Sequence, residues 1–411
     1  MTTLTSQLQL KHPLNLSSDF YNNQTHEIFQ WMRAEAPVYK AKLTRWKTVY
    51  LISRYADVEA ALKDPRFVKD INNIKGKSRW GGGNFWVPKA FRPLLHNMLN
   101  SDEPDHRRLR NLVHKAFTPK RVLELEPKIE EIAQRLIQSA KKKGSFDLIE
   151  EFAQPLPIAV IAHMLGIPND DLPEFTANAE GFLVTPTPIN MLRAVPAITR
   201  FTKYIRELAA KRQASPQDDL ISALVEAEED GDRFSEDELI GMVFLLFVAG
   251  HETTVNLIAN GTKALLDHPD QFDLLKQHPE YVDSAVEEFL RFDGPLETTE
   301  MSFAREDISL HGVTIPKGMT VLPALLSANR DETVFENPDQ LDILRMPNKH
   351  LSFGKGIHFC LGAPLARLES KKAFCTLLQE MPNLEYAVPA EQVRFRNMPM
   401  LHRLEELPVK I

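Results

Sequence analysis

The stretch from Phe353 to Gly362, FGKGIHFCLG, constrains the fold of this chain more than any other part of the sequence. Its glycines lack a Cβ atom, so the backbone can make tight or left-handed turns and press against a flat ligand. The LGAPLARLE that follows predicts a helix start, which would place Cys360 just ahead of a helix N-terminus, where positive partial charge favours a thiolate. His358, two residues before the sulfur, can donate to an anionic group on the same ligand.

This cysteine has a plainer alternative interpretation. Taken alone, Cys360 could be a buried small hydrophobic residue, the commoner fate of a cysteine inside the cell. A core cysteine needs neither closely spaced glycines, nor an intervening histidine, nor a helix directly after it. The combination therefore favours a ligand-binding thiolate.

Together with EFLR and AGHETT upstream, this stretch resembles the haem-binding signature of the cytochrome P450 family. The resemblance runs almost end to end and includes DHRRLRNLVHKAFTP, SANRD and HLSFG in the family's order and approximate spacing. It is closest to soluble bacterial P450s that hydroxylate polyketides, macrolides and fatty-acid-like substrates. It implies a mainly α fold with a small β-rich lobe, and haem b (iron protoporphyrin IX) bound through the thiolate of Cys360. Phe353 and Gly354 would belong to the cofactor-binding loop.

The sequence predicts one P450-like domain, a helical prism that spans residues 1–411. Its length would permit two or three domains, but no linker, repeat or low-complexity tract interrupts it. Alternating β-favouring residues and then an amphipathic segment place the β lobe mainly at 38–66 and in parts of 295–411. The helical body is expected at about 102–292.

The longest helix has a predicted start and end. Ser235 and Glu238 form a capping box before the apolar run LIGMVFLLFVAG, and the helix is expected to reach about Asp267.

Charge and cysteine content limit the partners and the location. The chain has 49 Lys plus Arg against 56 Asp plus Glu, and its formal net charge of -7 argues against nucleic acid as a partner. It has no run of about 18 apolar residues, and its N-terminal sequence lacks the basic-then-apolar pattern of a signal peptide. Two cysteines are too few for a disulfide framework. We therefore expect a cytoplasmic protein with no membrane partner.

AGHETT interrupts an otherwise apolar helix with two small residues, an acid and two hydroxyls. Ala249 and Gly250 are small enough to let a flat ligand and a diatomic molecule approach the helix wall. A glycine in the middle of a helix costs about 1 kcal/mol of helix stability, so its presence needs such a reason. By the resemblance, Thr253 is the oxygen-side threonine and Glu252 its partner acid, which together deliver protons for O–O cleavage without admitting bulk water. A polar surface helix is the alternative. The apolar runs on either side favour a buried helix, and His251 is given no role.

Glu288 and Arg291 in EFLR lie three residues apart, so they share a helix face and can form an ion pair. The spacing alone is weak evidence, because a second copy, EQVR, occurs at 391–394. By the resemblance, the first copy belongs to a structural network that fixes the Cys360 loop and is completed by Arg345. Where the family often has Phe before the Asp of that segment, this chain has Leu341.

His106 and Arg110 lie four residues apart on one predicted helix face and can reach a shared anion. A lone histidine on a charged helix is more often solvated surface, but the family motif at this position implies contact with the haem propionates, together with His358. The family usually has an arginine where this chain has Ser302, and the neighbouring Arg305 does not align with it. The propionates would therefore lose one charge-assisted pair.

The resemblance implies a haem-thiolate monooxygenase that inserts one oxygen atom from O2 into a C–H bond of a hydrophobic small molecule. Electrons would come from a separate ferredoxin or flavodoxin with its reductase, since no flavin or iron–sulfur segment fits within this length. Arg107, Arg108, Lys115 and Lys355 lie in the haem-proximal motifs and could form a basic patch for that acidic partner. Solvated helix faces are the alternative.

Two other functions stay open. A peroxygenase would use hydrogen peroxide directly, but such relatives commonly lack the acid–threonine pair that Glu252 and Thr253 provide. A non-catalytic haem carrier or gas sensor would need neither that pair nor a redox partner.

Four variable segments are expected to line the substrate pocket: 77–91, 181–196, 295–299 and 397–401. They are bulky and apolar, which suggests a hydrophobic substrate, and the glycines at 81–83 imply a loop that closes over it. The polar member Glu297 could orient a hydroxyl or amine, or lie at the rim. The candidate pocket residues are Trp80, Phe85, Trp86, Leu296, Glu297, Met398 and Met400.

Overall fold

Helices dominate the parts of the chain that the computed structural model describes, namely residues 13–44, 46–74, 89–180, 188–229 and 231–411. In chain order the helices are α1 Asp19–Asn23, α2 Thr25–Glu35, α3 Tyr55–Ala61, α4 Arg92–Leu95, α5 Asp105–Ala116, α6 Pro119–Glu124, α7 Glu126–Lys141, α8 Pro155–Leu165, α9 Leu172–Glu180, α10 Pro188–Ala214, α11 Leu220–Glu226, α12 Glu236–Asp267, α13 Pro269–Gln277, α14 Val282–Asp293, α15 Leu325–Ala328 and α16 Ala363–Glu380. Short 3-10 turns link several of them. The mainly α class predicted from the sequence is confirmed.

The strands are short and form three small sheets. They are β1 Val38–Lys42, β2 Thr48–Ile52, β3 Phe67–Val68, β4 Ser145–Asp147, β5 Ser302–Ala304, β6 Ile308–Leu310, β7 Val313–Ile315, β8 Thr320–Pro323, β9 Glu385–Tyr386 and β10 Pro408–Lys410. The largest sheet has the order β1-β2-β8-β5-β3, in which β2 and β8 are parallel and the other pairs are antiparallel. β4-β10-β9 and β6-β7 form the others. The predicted β lobe therefore draws on both ends of the sequence, as expected.

The chain divides into two compact units. The first comprises Met1–Gly76, Ala133–Gln154 and Thr253–Ile411, and the second comprises Lys77–Ile132 and Pro155–Glu252. The ten strands found in the described residues lie in the first unit, which also contains the Cys360 loop. The organisation as one domain remains a prediction.

The central strands of the large sheet are apolar on both faces. On β2, Val49 and Leu51 join one buried cluster, whereas Tyr50 and Ile52 join another. Successive strand residues point to opposite faces, so a strand covered on both sides reads as a continuous apolar run, here TVYLI. The first cluster adds side chains of α1 and α2, and the second adds side chains of α3 and α15.

The predicted capping box is confirmed. The hydroxyl of Ser235 accepts from the backbone N–H of Glu238 at 3.3 Å, and the Glu238 carboxylate accepts from the Ser235 backbone N–H at 2.8 Å. The helix that follows, α12, ends at Asp267, as expected. Among the described residues it is also the one helix long and apolar enough to cross a membrane, but 67% of its most apolar window is buried, as in a core helix.

The region expected to form the helical body also contains a short strand. β4 interrupts it and pairs with β10 near the end of the chain, and a π-helical turn at Ile149–Ala153 follows. The tripeptide of β4 is too short to show the period-2 pattern that would have identified it, and its strand geometry depends on a distant partner.

Candidate active site

The Cys360 loop makes the turns that its glycines predict. Gly354 and Gly356 have φ angles of +69° and +70°, in the left-handed region that disfavours residues with a Cβ. A Cβ on Gly356 would lie 2.6 Å from the carbonyl oxygen of Leu62, so the loop also needs glycine for close packing. The backbone N–H of Cys360 donates to the carbonyl of Phe353 at 2.9 Å, which closes the loop.

The helix after the loop begins where the sequence predicts. α16 starts at Ala363, three residues beyond Cys360, and has 18 residues. Its N-terminal amides carry positive partial charge, which stabilises a nearby thiolate. Cys360 is half-buried, and a Cβ on Gly362 would lie 3.9 Å from its sulfur, so the backbone beside the sulfur is bare. This donor and this bare, turned backbone fit a flat cofactor held by a thiolate.

A buried ionic network lies at the C-terminal half of α14. Glu288 and Arg291 have fully buried side chains and form a bidentate pair, with both N–O distances 2.7 Å. Arg345 approaches the same carboxylate at 3.2 Å, so the structure brings together the three residues singled out in the sequence. The second copy of the motif, at 391–394, has exposed charges.

The same network reaches the segment that leads into the Cys360 loop. The Asn348 side chain donates to Glu288 at 3.0 Å, and the Ser352 hydroxyl donates to the carbonyl of Leu290 on α14 at 2.5 Å. Asn348 and Ser352 were not identified from the sequence, because the spacing of residues far apart in the chain does not show which of them meet. Their contacts support a role for the network in holding the loop.

The AGHETT segment opens one side of a buried helix. Ala249 is exposed and Glu252 and Thr253 are half-buried, whereas His251 is 1% exposed. The Nδ1 atom of His251 lies 2.8 Å from the carbonyl of Phe247, and its Nε2 lies 3.8 Å from the Glu252 carboxylate. No role was predicted for His251, yet its side chain is within ion-pair distance of Glu252.

Gly250 has a second reason to be glycine. A Cβ at this position would lie 3.3 Å from the Cδ1 atom of Ile161 on α8, tighter than an ordinary contact. The space expected for a ligand is thus filled in that direction by a protein side chain. Helix packing, which the local sequence does not reveal, contributes to the choice of glycine here.

His106 and Arg110 lie on α5 in the second unit. His106 is 2% exposed, and burial, followed by the charge of Arg110, lowers its pKa. The two residues lie four apart in the same helix, the spacing that the propionate hypothesis requires. The solvated-surface alternative does not describe His106.

The basic patch expected from the haem-proximal motifs is largely compensated. Arg107 pairs with Glu103 at 3.1 Å, and Lys115 pairs with Glu229. Arg108 pairs with Glu238 and lies 3.8 Å from Asp232. Glu103 lies four residues from Arg107, but the acids that compensate Arg108 and Lys115 come from the distant segment 229–238, which the sequence around the motif does not show. Lys355 belongs to the Cys360 loop.

Two of the expected pocket segments meet in the structure. The backbone N–H of Glu297 donates to the carbonyl of Met400 at 3.0 Å, and Leu296 and Leu401 form an isolated β-bridge. The Met400 side chain packs against the buried cluster that contains residues of α1 and α2. Leu296 packs against the other buried cluster, on the opposite face of the sheet. Met398 is half-buried.

The remaining aromatic candidates, Trp80, Phe85 and Trp86, lie outside the described residues, as do the glycines at 81–83 and residues 181–187.

Glu297 occupies neither the rim nor an open binding position. It is 5% exposed, its Oε2 accepts from the Tyr21 hydroxyl at 3.0 Å, and its Oε1 lies 3.9 Å from Nδ1 of His402. The rim expectation is therefore wrong. The carboxylate is held inside a polar cluster because Tyr21 and His402, from opposite ends of the chain, converge on it.

That polar cluster centres on Asp293. Its Oδ1 lies 2.8 Å from Nε2 of His402 and 3.1 Å from Nε2 of His26. Burial would lower the pKa of His402, but the carboxylates of Asp293 and Glu297 outweigh it and raise the pKa to about 9. Burial, with the Arg330 charge, lowers the pKa of His26 to about 4. Of the two histidines, His402 is therefore the cation at neutral pH, and Arg330, 4.0 Å from the same Asp293 oxygen, is a second cation of the cluster.

Comparison with known proteins agrees with this geometry. The sequence pattern described as Cytochrome P450 matches residues 174–382. The polyketide biosynthesis cytochrome P450 PksS of Bacillus subtilis (strain 168) is 42% identical over 396 residues, which cover 96% of this chain and 97% of that protein. The cytochrome P450 monooxygenase PikC of Streptomyces venezuelae is 42% identical, with 92% and 89% covered.

Solved structures show the same fold. The structure of PksS from Bacillus subtilis 168 superimposes with a TM-score of 0.89 at 40% identity, covering 98% of this chain and 99% of that one. The myxobacterial P450 CYP267B1, in complex with myristic acid, gives a TM-score of 0.87 at 40% identity, with 98% of each chain covered.

A helix-rich fold with a cysteine loop of this geometry defines a haem-thiolate oxygenase class. The chain belongs to the cytochrome P450 family, and it is a P450 monooxygenase. In this family haem is ligated by a cysteine thiolate, and Cys360 is the residue that would hold it. When bound, thiolate-ligated haem supplies dioxygen activation, because electron donation from the sulfur favours O–O cleavage.

Proposed function

We propose that this protein hydroxylates hydrophobic acyl or polyketide-like molecules, including macrolides, with electrons from a separate ferredoxin or flavodoxin system. The Cys360 loop is the observation that carries the proposal. It combines a sulfur ahead of a helix N-terminus, two left-handed glycine turns and a bare backbone beside the sulfur. A core cysteine requires none of these.

The first test concerns the thiolate. The purified ferrous protein should bind carbon monoxide with the displaced absorption band of a thiolate-ligated haem. Cys360→His should abolish that band while Cys375→Ser retains it. A globin-like carbon monoxide spectrum from the parent protein would contradict the proposal.

The residues of α12 support an oxygen-dependent reaction. Glu252 and Thr253 are adjacent on the accessible side of an otherwise buried helix, so an acid and a hydroxyl can pass a proton without a wide water channel. His251, 3.8 Å from Glu252, can hold or orient that carboxylate. The pair also favours a monooxygenase over a peroxygenase. Product formed with reductase, ferredoxin and O2, but not with peroxide alone, is the expected result.

Relatives guide the choice of substrate class. PksS is named for polyketide biosynthesis, CYP267B1 is described with myristic acid, and P450BioI with an acyl chain on an acyl carrier protein. For this chain we infer a long apolar substrate, free or carrier-bound. Fatty acids of graded length, macrolides and steroids should be compared by the spectral shift that follows loss of the iron-bound water. A shift with fatty acids or macrolides supports the inference, and none with either contradicts it.

The electron donor would approach the Cys360 loop. A groove of about 550 Å³ opens beside this loop, with Lys349, Lys355 and Arg367 among its lining residues. The lining also includes the acids Glu59 and Glu287, the latter paired with Arg367, but the cations outnumber them and suit a small acidic redox protein. Lys355→Glu should slow reduction at low salt and weaken its salt dependence, whereas Lys120→Glu, an exposed cation on α6, should not. Equal rates for both variants would exclude this docking position.

A further inference from the structure

An ion pair joins the two helices that flank the Cys360 loop. Arg367 on α16 and Glu287 on α14 form a bidentate pair, Nε to Oε1 at 2.6 Å and the terminal nitrogen to Oε2 at 2.8 Å. The side chains are 41% and 29% exposed, so solvent screens the attraction between the two charges only in part. A bidentate contact fixes the orientation of the guanidinium as well as its distance from the carboxylate.

The guanidinium of Arg367 covers an aromatic residue of the Cys360 loop. Its carbon lies 4.4 Å from the ring centre of Phe353, a cation–π distance. The carbonyl of Phe353 is the acceptor for the Cys360 backbone N–H. Arg367 is thus a cation held against the residue that closes the loop around the sulfur. Its pKa is raised first by the bond to Glu287 and, to a smaller extent, by the charge of Cys360.

A histidine fixes the acid from the other side. The Nε2 atom of His350 lies 3.1 Å from Oε2 of Glu287, and its side chain is only 4% exposed. Burial would raise the pKa of Glu287, but Arg367 and His350 hold it at about 2. Glu287 is therefore an anion at every working pH, and its charge opposes that of the Arg367 guanidinium that lies over Phe353.

We propose that Arg367 and Glu287 are positioning residues that set the reduction potential of the haem held by Cys360, in opposite directions. One-electron reduction adds a negative charge at the thiolate-ligated site. A nearby cation stabilises the reduced state, and a nearby anion destabilises it. Arg367 thus raises the potential and Glu287 lowers it. The inference rests on the proposed haem-thiolate function.

The chain contains a matched control pair one helical turn away. Lys371 and Asp283 join the same two helices at 2.8 Å, four residues after Arg367 and four before Glu287. Their side chains are 38% and 69% exposed. A change of charge there perturbs the same helix–helix contact without touching Phe353.

The experiment is a spectroelectrochemical titration of substrate-free holoenzyme. In Arg367→Gln the ferrous-to-ferric ratio at a set potential should fall about three- to tenfold, and in Glu287→Gln it should rise by a similar factor. A tenfold change corresponds to about 59 mV for a one-electron couple. Arg367→Lys keeps the charge and should stay within threefold of the parent, as should Lys371→Gln and Asp283→Asn.

The proposal fails if Arg367→Gln and Glu287→Gln shift the reduction potential in the same direction, or by no more than the control variants do. Arg367 and Glu287 would then only hold the two helices together. Should Arg367→Gln fail to fold, the rise in Glu287→Gln and its absence in Asp283→Asn decide the matter. A parent protein with a globin-like carbon monoxide spectrum would instead refute the proposed function. A normal parent spectrum with unmoved potentials refutes this inference alone.

Discussion

Removing the charge of Glu288 should be the most damaging conservative substitution in the described part of the first unit. Five donors converge on its fully buried carboxylate, two of them from Arg291 and one from Arg345, at 2.7 to 3.2 Å. In Glu288→Gln, one oxygen becomes an amide nitrogen that faces a guanidinium, and the buried Arg291 loses its counter-charge. Breaking a buried pair from one side costs about 3–5 kcal/mol.

This cost is a large fraction of the free energy of unfolding, which is only about 5–15 kcal/mol for most domains. The assay is urea denaturation of the holoenzyme, followed by far-UV circular dichroism and by the absorbance of the ligated cofactor. Asn348 and Ser352 connect the network to the Cys360 loop, so the absorbance should be lost at lower urea than the helical signal.

The control is Glu391→Gln in the second, exposed copy of the motif. Exposed charges of this kind change stability by less than about 0.5 kcal/mol. Two variants with the same spacing and the same chemical change should therefore differ by several kcal/mol. If Glu288→Gln and Glu391→Gln unfold at the same urea concentration with equal slopes, the reasoning about the buried network is wrong.

Three further predictions follow from single side chains. Thr253→Ala should retain the substrate-induced spectral shift but form at least tenfold less product per electron, with peroxide as the by-product, because positioned proton transfer contributes about 10²–10⁴ in rate; unchanged coupling would contradict its role. Neither carboxylate oxygen of Glu369 has a hydrogen-bond partner among the described residues, and burial raises its pKa well above the usual value. An acid with a raised folded pKa destabilises the fold as pH rises, so Glu369→Gln should gain stability over the parent above about pH 4.5, by up to about 1.4 kcal/mol per pH unit; a pH-independent difference would exclude this. His402 has its pKa raised from 6.5 to about 9, so its contribution is complete below pH 6.5 and is lost as pH rises through 9. His402→Gln should cost about 3 kcal/mol near pH 6 and much less near pH 10, as calorimetric stability curves would show.

Local patterns predicted the parts of the site that lie close together in the chain. The glycine turns, the helix start after Cys360 and the capping box at Ser235 each depend on residues within a few positions of one another. Backbone geometry and capping act over that range, so short stretches carried the information.

Contacts between distant residues could not be predicted in the same way. The pairing of Arg108 with Glu238 compensates one charge of the expected basic patch, and contacts with Tyr21 and His402 hold Glu297 in the interior. In each case the partner of the charged side chain lies more than 100 residues away in the sequence. The identity of a residue gives the sign of its charge, but whether an opposite charge lies beside it depends on tertiary packing.

By itself, the sequence determined the class of fold, the cysteine that would hold the cofactor and the helix that carries the acid and threonine, because each is encoded by a contiguous pattern. Only the tertiary structure decided which charges are cancelled, which are buried and which face the Cys360 loop. Burial and Coulomb attraction depend on distances through space, and chain folding alone brings Glu287, Arg367 and Phe353 together.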